Sequence, residues 1–449
     1  MLVLICLSGR PKEGKCMSFL PIKKNKINLS DFNYRREIEI RLLMARLTSF
    51  ELEVLNEILN NSLIIPLNQL VEILETPKSK LLKTIQKFID AKLIKQEKET
   101  LYVDKELRKQ FESHMIKFDP EFEPGMEYIQ ALLNKVPIHH LPQWYALPRT
   151  SDNIFQSIIE RFLATPKMYE KYLQELQFDE ELLPQISKAV FDSPDFYVTG
   201  RMVMENHDLS HSQFEEIALL LEYNLVCCLT YREINGQWEE TLTPFHEWRQ
   251  YLCFMRDAKP KPIPTKTIVP KDEREFGFIQ DMSLLLKAAS KKPVSPSSIL
   301  TSLQADDLEK IIQKIEFHHL GEMKNNKLSS TQRTLAWLDK SLQEKALTFS
   351  RHPTKVEKEL KQVMHTGWIY VDDFIRFFTG NINGKEPIQL QQKGKRWKYA
   401  LPSYTKDEEI LIATTLCERL FEAGFVDVGT HAGKICVRVT PFGRMSLED

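Results

Sequence analysis

Four lysines near residue 80 are the side chains of this chain best suited to bind an anion. Lys80, Lys83 and Lys87 lie three and four positions apart, and Lys78 precedes them. In a helix this spacing places the three side chains on one face. A row of ammonium groups contacts the phosphates of a nucleic acid rather than its base edges, so it gives salt-dependent affinity with little sequence specificity. The same row also fits a simply solvated helix face.

A second group of cations stands beside aromatic rings near the C-terminus. Lys385 begins it, and Tyr399 and a tryptophan are interleaved with the later cations. This arrangement suits phosphate contact combined with stacking on bases or sugars. It fits equally well a loop that is packed under its two rings, and both interpretations stay open. The residues assigned to nucleic-acid binding are Lys78, Lys80, Lys83, Lys87, Lys95, Lys393, Lys395, Arg396, Trp397 and Lys398.

The N-terminus contains a misleading motif, because residues 9–15 have the spacing of a phosphate-binding loop. Such a loop needs a Ser or Thr after its lysine to bind magnesium, and a helix must follow directly. Cys16 stands in that position, and Pro11 removes one amide donor. The alternating strands and helices of a parallel sheet do not follow either. We interpret this stretch as an N-terminal extension, with either Met1 or Met17 as the start of translation.

Histidine and cysteine patterns do not indicate a catalytic or metal site. The pairs His139/His140 and His207/His211 lack an accompanying glutamate motif or cysteine cluster, which favours polar surface or capping roles. The seven cysteines have no metal-ligand spacing and are expected to be reduced thiols. No nucleophile stands beside a plausible base. We therefore expect a protein that is not an enzyme and needs no metal or cofactor.

The overall composition is that of a globular protein with several domains. The chain has 449 residues, 27% of them charged, and its net charge is -1. This balance excludes a uniformly basic protein that coats nucleic acid, but it permits local basic faces. No apolar run is long enough for a transmembrane helix. We expect a cytoplasmic protein without a membrane partner.

The elements that must position the lysines have the order of a winged helix-turn-helix. Thr48 and Glu51 predict a capping box at the start of a first helix, and residues 67–74 predict a second. Thr76 is expected to cap the third helix, which carries the lysines on its outer face. Residues 93–103 then alternate as a hairpin. In this fold the third helix meets the duplex.

A helix followed by a hairpin recurs further along the chain. The copies at 214–245 and 410–445 both place a glutamate, Glu222 or Glu422, at the helix end and close with Thr-Pro-Phe. Residues 276–317 have a helix-turn-helix outline without a convincing wing. Repetition with different turn lengths indicates a string of similar modules.

Breaks in composition divide the chain. Residues 258–266 alternate proline and lysine, which predicts an extended linker. The basic helix before residue 46 is expected to present a solvated charged face. The predicted segments are 1–46, an N-terminal extension with a basic helix; 47–118, a winged helix-turn-helix; 119–256, a helical region ending in a winged-helix-like unit; 257–275, the linker; 276–350, a helix-turn-helix-like unit; and 351–449, a C-terminal winged-helix unit with the basic insert.

Three short motifs of the second half carry a resemblance to a known family. They are TLAWLDK at 334–340, GWIYVDDF at 367–374 and VTPFGR at 439–444. In these motifs the chain resembles bacterial proteins related to the N-terminal, non-ATPase region of XPB-type helicases. The resemblance covers about residues 275–446, with weaker support at 160–250. It implies a winged-helix and helical architecture with a DNA-linked, helicase-associated role, and it supplies no catalytic residues.

The sequence thus predicts a mainly α protein with small β-hairpins, built from tandem winged helix-turn-helix units joined by helical segments. The expected partner is DNA, bound through its phosphate backbone with low sequence specificity. The C-terminal unit is assigned to a protein partner, because Glu418, Glu422 and Asp427 crowd it. The alternative is a non-catalytic scaffold whose winged helices bind proteins, which the near-neutral net charge favours.

Overall fold

The computed structural model describes residues 34–135, 154–176, 182–349, 355–382, 384, 387–394 and 396–448. Within them the chain is mainly helical with small antiparallel sheets, which confirms the predicted mixture of helices and hairpins. The N-terminal motif at 9–15, the pair His139/His140, Lys385 and Lys395 lie outside the described residues.

The chain forms two compact units. The first unit extends to Cys253 and also contains Gln389–Ala400, whereas the second unit covers Phe254–Ile388 and Leu401–Asp449. The boundary at residue 253 falls just before the proline- and lysine-rich stretch. The hairpin of the basic insert is therefore part of the first unit.

The first unit contains most of the helices. Its helices are α1 (Tyr34–Met44), α2 (Ser49–Asn60), α3 (Leu67–Ile73), α4 (Lys78–Asp90), α5 (Lys105–Met115), α6 (Met126–Lys135), α7 (Ile154–Ile158), α8 (Pro166–Glu175), α9 (Leu182–Asp192), α10 (Gly200–His207), α11 (His211–Tyr223) and α12 (His246–Ala258), which continues past the boundary. Its strands in this part are β1 (Ile64–Pro66), β2 (Ile94–Glu97), β3 (Thr100–Val103), β4 (Val198–Thr199), β5 (Cys227–Ile234) and β6 (Gln237–Pro244). A 3-10 turn, Ile116–Phe118, follows α5, and a π-helical segment, Ile159–Leu163, follows α7.

The remaining elements follow the 3-10 turn Thr265–Thr267. They are β7 (Val269–Pro270), α13 (Gly277–Ala289), α14 (Pro296–Ile299), α15 (Ala305–Phe317), β8 (Gly321–Lys324), β9 (Lys327–Ser330), α16 (Gln332–Leu338), α17 (Leu342–Phe349), α18 (Lys355–Leu360) with the 3-10 turn Lys361–Val363, β10 (Ile369–Tyr370), α19 (Val371–Phe377), β11 (Leu390–Lys393), β12 (Arg396–Tyr399), α20 (Lys406–Thr414) with the π-helical segment Thr415–Leu420, β13 (Val426–His431), β14 (Lys434–Val439) and α21 (Pro441–Glu448). Of these, β11 and β12 belong to the first unit.

One arrangement recurs four times in the described part of the chain. A short strand leads into two helices and then a hairpin, and the second hairpin strand pairs with the short strand. The sheets β1-β3-β2 and β4-β6-β5 follow this rule, and so does the sheet β10-β14-β13-β7, in which β7 adds a fourth strand beside β13. In the remaining copy a single bridge between Val294 and Leu328 replaces the short strand beside β9. The repetition seen in the sequence is thus a repetition of strand pairing.

The structure has a hairpin, β8–β9, within residues 276–350, for which the sequence predicts no convincing wing. The polar stretch at 323–327, predicted as a loop, is the tip of this hairpin. Asn325 and Asn326 form its turn with φ of 50° and 59°, the left-handed region that two-residue hairpin turns require. The sequence does not indicate these strands, because each has four residues and only Gly321 and Leu328 are buried in them. No alternation of apolar and polar residues is therefore visible.

Capping at the first repeat follows the prediction at one helix and departs from it at another. The Thr48 hydroxyl accepts from the Glu51 amide at 3.3 Å, and the Glu51 carboxylate accepts from the Thr48 amide at 3.0 Å, so the capping box is confirmed. Thr76 does not cap α4, because its hydroxyl donates to the Leu74 carbonyl at 2.8 Å. Pro77 is the N-cap residue and forms no side-chain cap.

Glu247 is a buried carboxylate at the start of α12. Its Oε1 accepts from the amide of Met126 at 3.0 Å, while no described residue donates to its Oε2. Burial raises the pKa of Glu247 from its usual 4.5 to about 7. Because the folded-state pKa is the higher one, the stability linked to this group is present below about pH 4.5 and is lost as the pH rises to 7.

Glu247→Gln is therefore expected to stabilise the first unit at pH 8 by about 2 kcal/mol, and by much less at pH 5. The amide oxygen of glutamine can still accept from Met126, and the buried charge is gone. Urea unfolding at the two pH values measures the difference. Glu72→Gln is the control. Glu72 is an exposed residue on α3, so its substitution should change stability little at either pH. A Glu247→Gln protein that is less stable at both would contradict this account.

Candidate nucleic-acid interface

Helix α4 buries one apolar face and exposes its lysines, while Leu82 is 37% exposed. Leu81, Ile85 and Phe88 are fully buried in the core of the first repeat. Lys78, Lys80, Lys83 and Lys87 are all exposed, and so is Lys95 on the following strand β2. The buried face thus fixes the helix, and the four lysines lie along its solvent side as the sequence spacing predicts.

Three of these lysines have local contacts. The Lys78 ammonium lies 2.6 Å from the Glu99 carboxylate, and Lys87 pairs with Glu51. Lys80 stands over the ring of Phe50, 3.7 Å from its centroid. Lys83 forms no ion pair with any residue that the structure describes. The Lys78–Glu99 pair is exposed on both sides and contributes only about 0–1 kcal/mol, so a phosphate can replace Glu99 at small cost. Glu51 is buried, with 10% of its side chain exposed, so Lys87 retains this partner.

The C-terminal part of the predicted site is the hairpin β11–β12. Lys393 and Arg396 stand opposite each other in the register of the two strands. Both are exposed, as is Lys398. The ring of Trp397 is half-buried and meets Phe155 edge-on, 6.2 Å between centroids. Tyr399 is buried.

Two hydrogen bonds to backbone carbonyl groups anchor this hairpin within the first unit. The hydroxyl of Tyr399 donates to the Leu163 carbonyl at 2.9 Å, and the Leu390 amide donates to the Ala164 carbonyl at 2.8 Å. The two rings of the insert therefore have packing partners within the unit. Its cations and those of α4 lie on different elements with separate packing partners.

The helix that precedes the hairpin differs in charge between the four repeats. Helix α4 carries four lysines against one aspartate. Helix α11 has three glutamates and no lysine or arginine, and nearly all of it is buried. Helix α15 has two lysines against four acidic residues, and α20 has one lysine against three. Among the pre-hairpin helices, α4 is thus the one with an excess of exposed cations.

A buried ion-pair cluster lies elsewhere in the first unit. Arg41 of α1 is 1% exposed, although the sequence predicts a solvated charged face for this helix. Its guanidinium pairs with Glu222, lies 3.4 Å from a Glu37 oxygen, and comes within 3.5 Å of Glu215. Lys117 reaches the second Glu222 oxygen at 2.6 Å. The prediction for the basic helix is therefore wrong at Arg41, which lies three positions from both Ile38 and Met44 on the buried face.

The electrostatics of this cluster depend on close pairing. Burial alone would raise the pKa of Glu222, but Arg41 and Lys117 outweigh it and lower the pKa to about 2. The Leu229 amide also donates to this carboxylate at 3.1 Å. Burial lowers the pKa of His114, against the opposing effect of Glu37, which it contacts at 3.1 Å. The sequence marked Glu222 as a repeated position, but it did not indicate these partners.

Neither the protein-family models nor the curated proteins include a match to this chain. Across the part of the chain that the structure describes, no helix has the length and apolar character needed to cross a membrane.

Proposed function

We propose that this protein binds nucleic acid, most naturally duplex DNA, through the lysine face of α4. The observation that carries the proposal is the contrast between the four pre-hairpin helices: α4 combines four exposed lysines with a buried apolar face. The proposal includes a helicase-associated or regulatory role, in keeping with the family resemblance of the second half.

The order of elements in the first repeat supports the proposal. Helices α2, α3 and α4 precede the hairpin β2–β3, with β1 completing the sheet. This is the order expected of a winged helix-turn-helix, in which the third helix lies against the duplex and the hairpin flanks it. Lys95 on the first strand of the hairpin is also exposed. We propose that all four repeats are winged-helix units and that the first one binds.

The chemistry of binding follows from the residue types. Lysine ammonium groups are point charges that contact phosphate oxygens without reading bases. Lys78 would exchange Glu99 for a phosphate, whereas Lys87 would keep Glu51 and contact a phosphate through its remaining N–H donors. Affinity would depend steeply on salt and little on sequence.

A protein-binding scaffold is the second candidate, and a specific observation favours it for the second unit. Ile410 and Leu411 of α20 are 62% and 52% exposed, and Ile435 on β14 is 50% exposed. Exposed apolar side chains near acidic ones suit a protein partner better than a phosphate backbone. We assign the protein partner of this chain to that C-terminal repeat.

Fluorescence anisotropy with two labelled duplexes of unrelated sequence tests the proposed function. At about 50 mM salt we expect binding of both duplexes with dissociation constants that agree within about threefold and lie in the micromolar range, as for other sequence-independent contacts. Absence of binding at this salt concentration would leave the scaffold as the better account.

A further inference from the structure

Three potential metal ligands meet beside the buried cluster of the first unit. His211 and Glu215 lie one turn apart on α11, and Glu240 faces them from β6. One ligand atom from each lies within 4.8 Å of the others. The Nε2 atom of His211 is 2.8 Å from a carboxylate oxygen of Glu240. Helix and hairpin thus bring an imidazole and two carboxylates to one point.

Glu215 is fully buried, and no described residue donates a hydrogen bond to either of its oxygens. Its nearest cation is Arg41, whose Nη1 lies 3.5 Å from Oε2 and which is already paired with Glu222. The Oε1 atom of Glu240 likewise lacks a donor among the described residues. Buried acceptors without a partner cost stability, so these oxygens need a ligand.

The charges around the site point to a cation. The buried cations Arg41 and Lys117 face four carboxylates, which are Glu37, Glu222, Glu215 and Glu240. Glu222 forms ion pairs with both of these cations, and Glu37 contacts Arg41 and His114. The other two carboxylates are Glu215 and Glu240, and the further basic groups near them are His211 and the exposed Arg46.

We propose that His211, Glu215 and Glu240 bind one divalent first-row transition metal ion, with Zn²⁺ as the best representative. One imidazole nitrogen with two carboxylate oxygens is a ligand set that Zn²⁺ accepts, whereas Mg²⁺ and Ca²⁺ prefer oxygen ligands alone. His211 is half-buried, with 26% of its side chain exposed, so the site reaches solvent through this side chain. The ion joins α11 to the hairpin β5–β6.

The signal for this site was present in the sequence. The spacing of His211 and Glu215 places both on one helix face, although the i, i+4 spacing of His207 and His211 is the more obvious pattern in the sequence. Glu240 is distant along the chain, and hairpin pairing alone brings it close. The predicted capping or surface role of His211 therefore gives way to a ligand role, while His207 is not part of the cluster.

Metal binding by the full chain tests the proposal. Protein stripped with a chelator is titrated with Zn²⁺ by calorimetry and with Co²⁺ by visible absorption. We expect one ion per chain and a rise in Tm with Zn²⁺ of about 5 °C at hundredfold excess over the dissociation constant. His211→Ala and Glu240→Gln should each weaken binding about tenfold or more, because each removes one of three ligands. His207→Ala, four positions earlier at the end of α10, should bind as the wild type does.

Two outcomes would overturn the proposal. One is folded wild-type protein, judged by circular dichroism, that takes up neither ion at micromolar concentration, which would leave Glu215 and Glu240 sharing a proton instead. The other is undiminished binding in both His211→Ala and Glu240→Gln. Because Glu240→Gln preserves size and hydrogen bonding, it stays informative if His211→Ala folds poorly.

Discussion

Arg41→Met is expected to destabilise the first unit by about 3–5 kcal/mol, because it leaves the buried carboxylate of Glu222 with one cation instead of two. Methionine fills a similar volume, so the loss reports the charge rather than a cavity. Glu222 is fully buried and cannot recover the lost interaction from water. Urea unfolding followed by far-UV circular dichroism gives the free energy of unfolding.

Arg35→Met on the same helix is the matched control. The Arg35 side chain is 80% exposed and lies 3.5 Å from Glu39 on the next turn, so its removal should cost less than about 0.5 kcal/mol. Equal losses for the two variants, or a loss below about 1 kcal/mol for Arg41→Met, would contradict the assignment of a tightly coupled buried cluster.

The pH dependence provides a second readout of the same substitution. The pKa of Glu222 is about 2 in the folded protein, below its usual 4.5. Its contribution to stability is thus present above about pH 4.5 and is lost as the pH falls toward 2. Without Arg41 the folded pKa rises toward the unfolded one, so Arg41→Met should lose less stability between pH 6 and pH 3 than the wild type.

The triple substitution Lys80→Glu, Lys83→Glu and Lys87→Glu is expected to lower affinity for duplex DNA at least about hundredfold at roughly 50 mM salt. Three phosphate contacts are lost and three repulsive charges replace them. All three side chains are exposed, and the apolar face of α4 is untouched. Anisotropy measures the affinity, and circular dichroism checks that the triple variant is folded.

A matched triple substitution in the second unit distinguishes binding by α4 from an effect of the net charge of the protein. Lys287, Lys291 and Lys292 are exposed at the end of α13 and beyond it, and their reversal changes the net charge by the same amount. Because α13 is not a pre-hairpin helix, this triple should retain wild-type affinity within about threefold. Similar losses in both triples would mean that DNA responds to overall charge, and α4 would lose its assigned role.

Local signals in the sequence predicted the elements that carry strong caps or alternation. The capping box at Thr48, the apolar stripe of α4 and the Thr-Pro-Phe closure near Thr440 are all short-range patterns. The structure gives that closure a reason: the buried Thr440 hydroxyl donates to the Gly424 carbonyl at 2.7 Å and accepts from the Gly443 amide at 2.9 Å. Short polar strands such as β8 and β9 lack a comparable signal.

The sequence does not predict which distant residues pair with its charged groups. Arg41 meets Glu222 across 181 positions, and Lys117 meets it across 105. A charged residue inside an amphipathic helix is read as solvated unless its partner is known, since buried charges are rare. The lysines of α4 were predictable for the opposite reason, because exposure of a lysine face needs no partner.

The salt dependence of duplex binding tests the central claim most directly. For the wild type we predict a slope of log Kobs against log salt near −3.6, about 0.9 for each of four phosphate contacts. Reversal of Lys80, Lys83 and Lys87 should make the slope shallower by about 2.7, whereas reversal of Lys287, Lys291 and Lys292 should leave it unchanged. A wild-type slope that the α4 triple does not alter would contradict the claim that this helix binds the phosphate backbone.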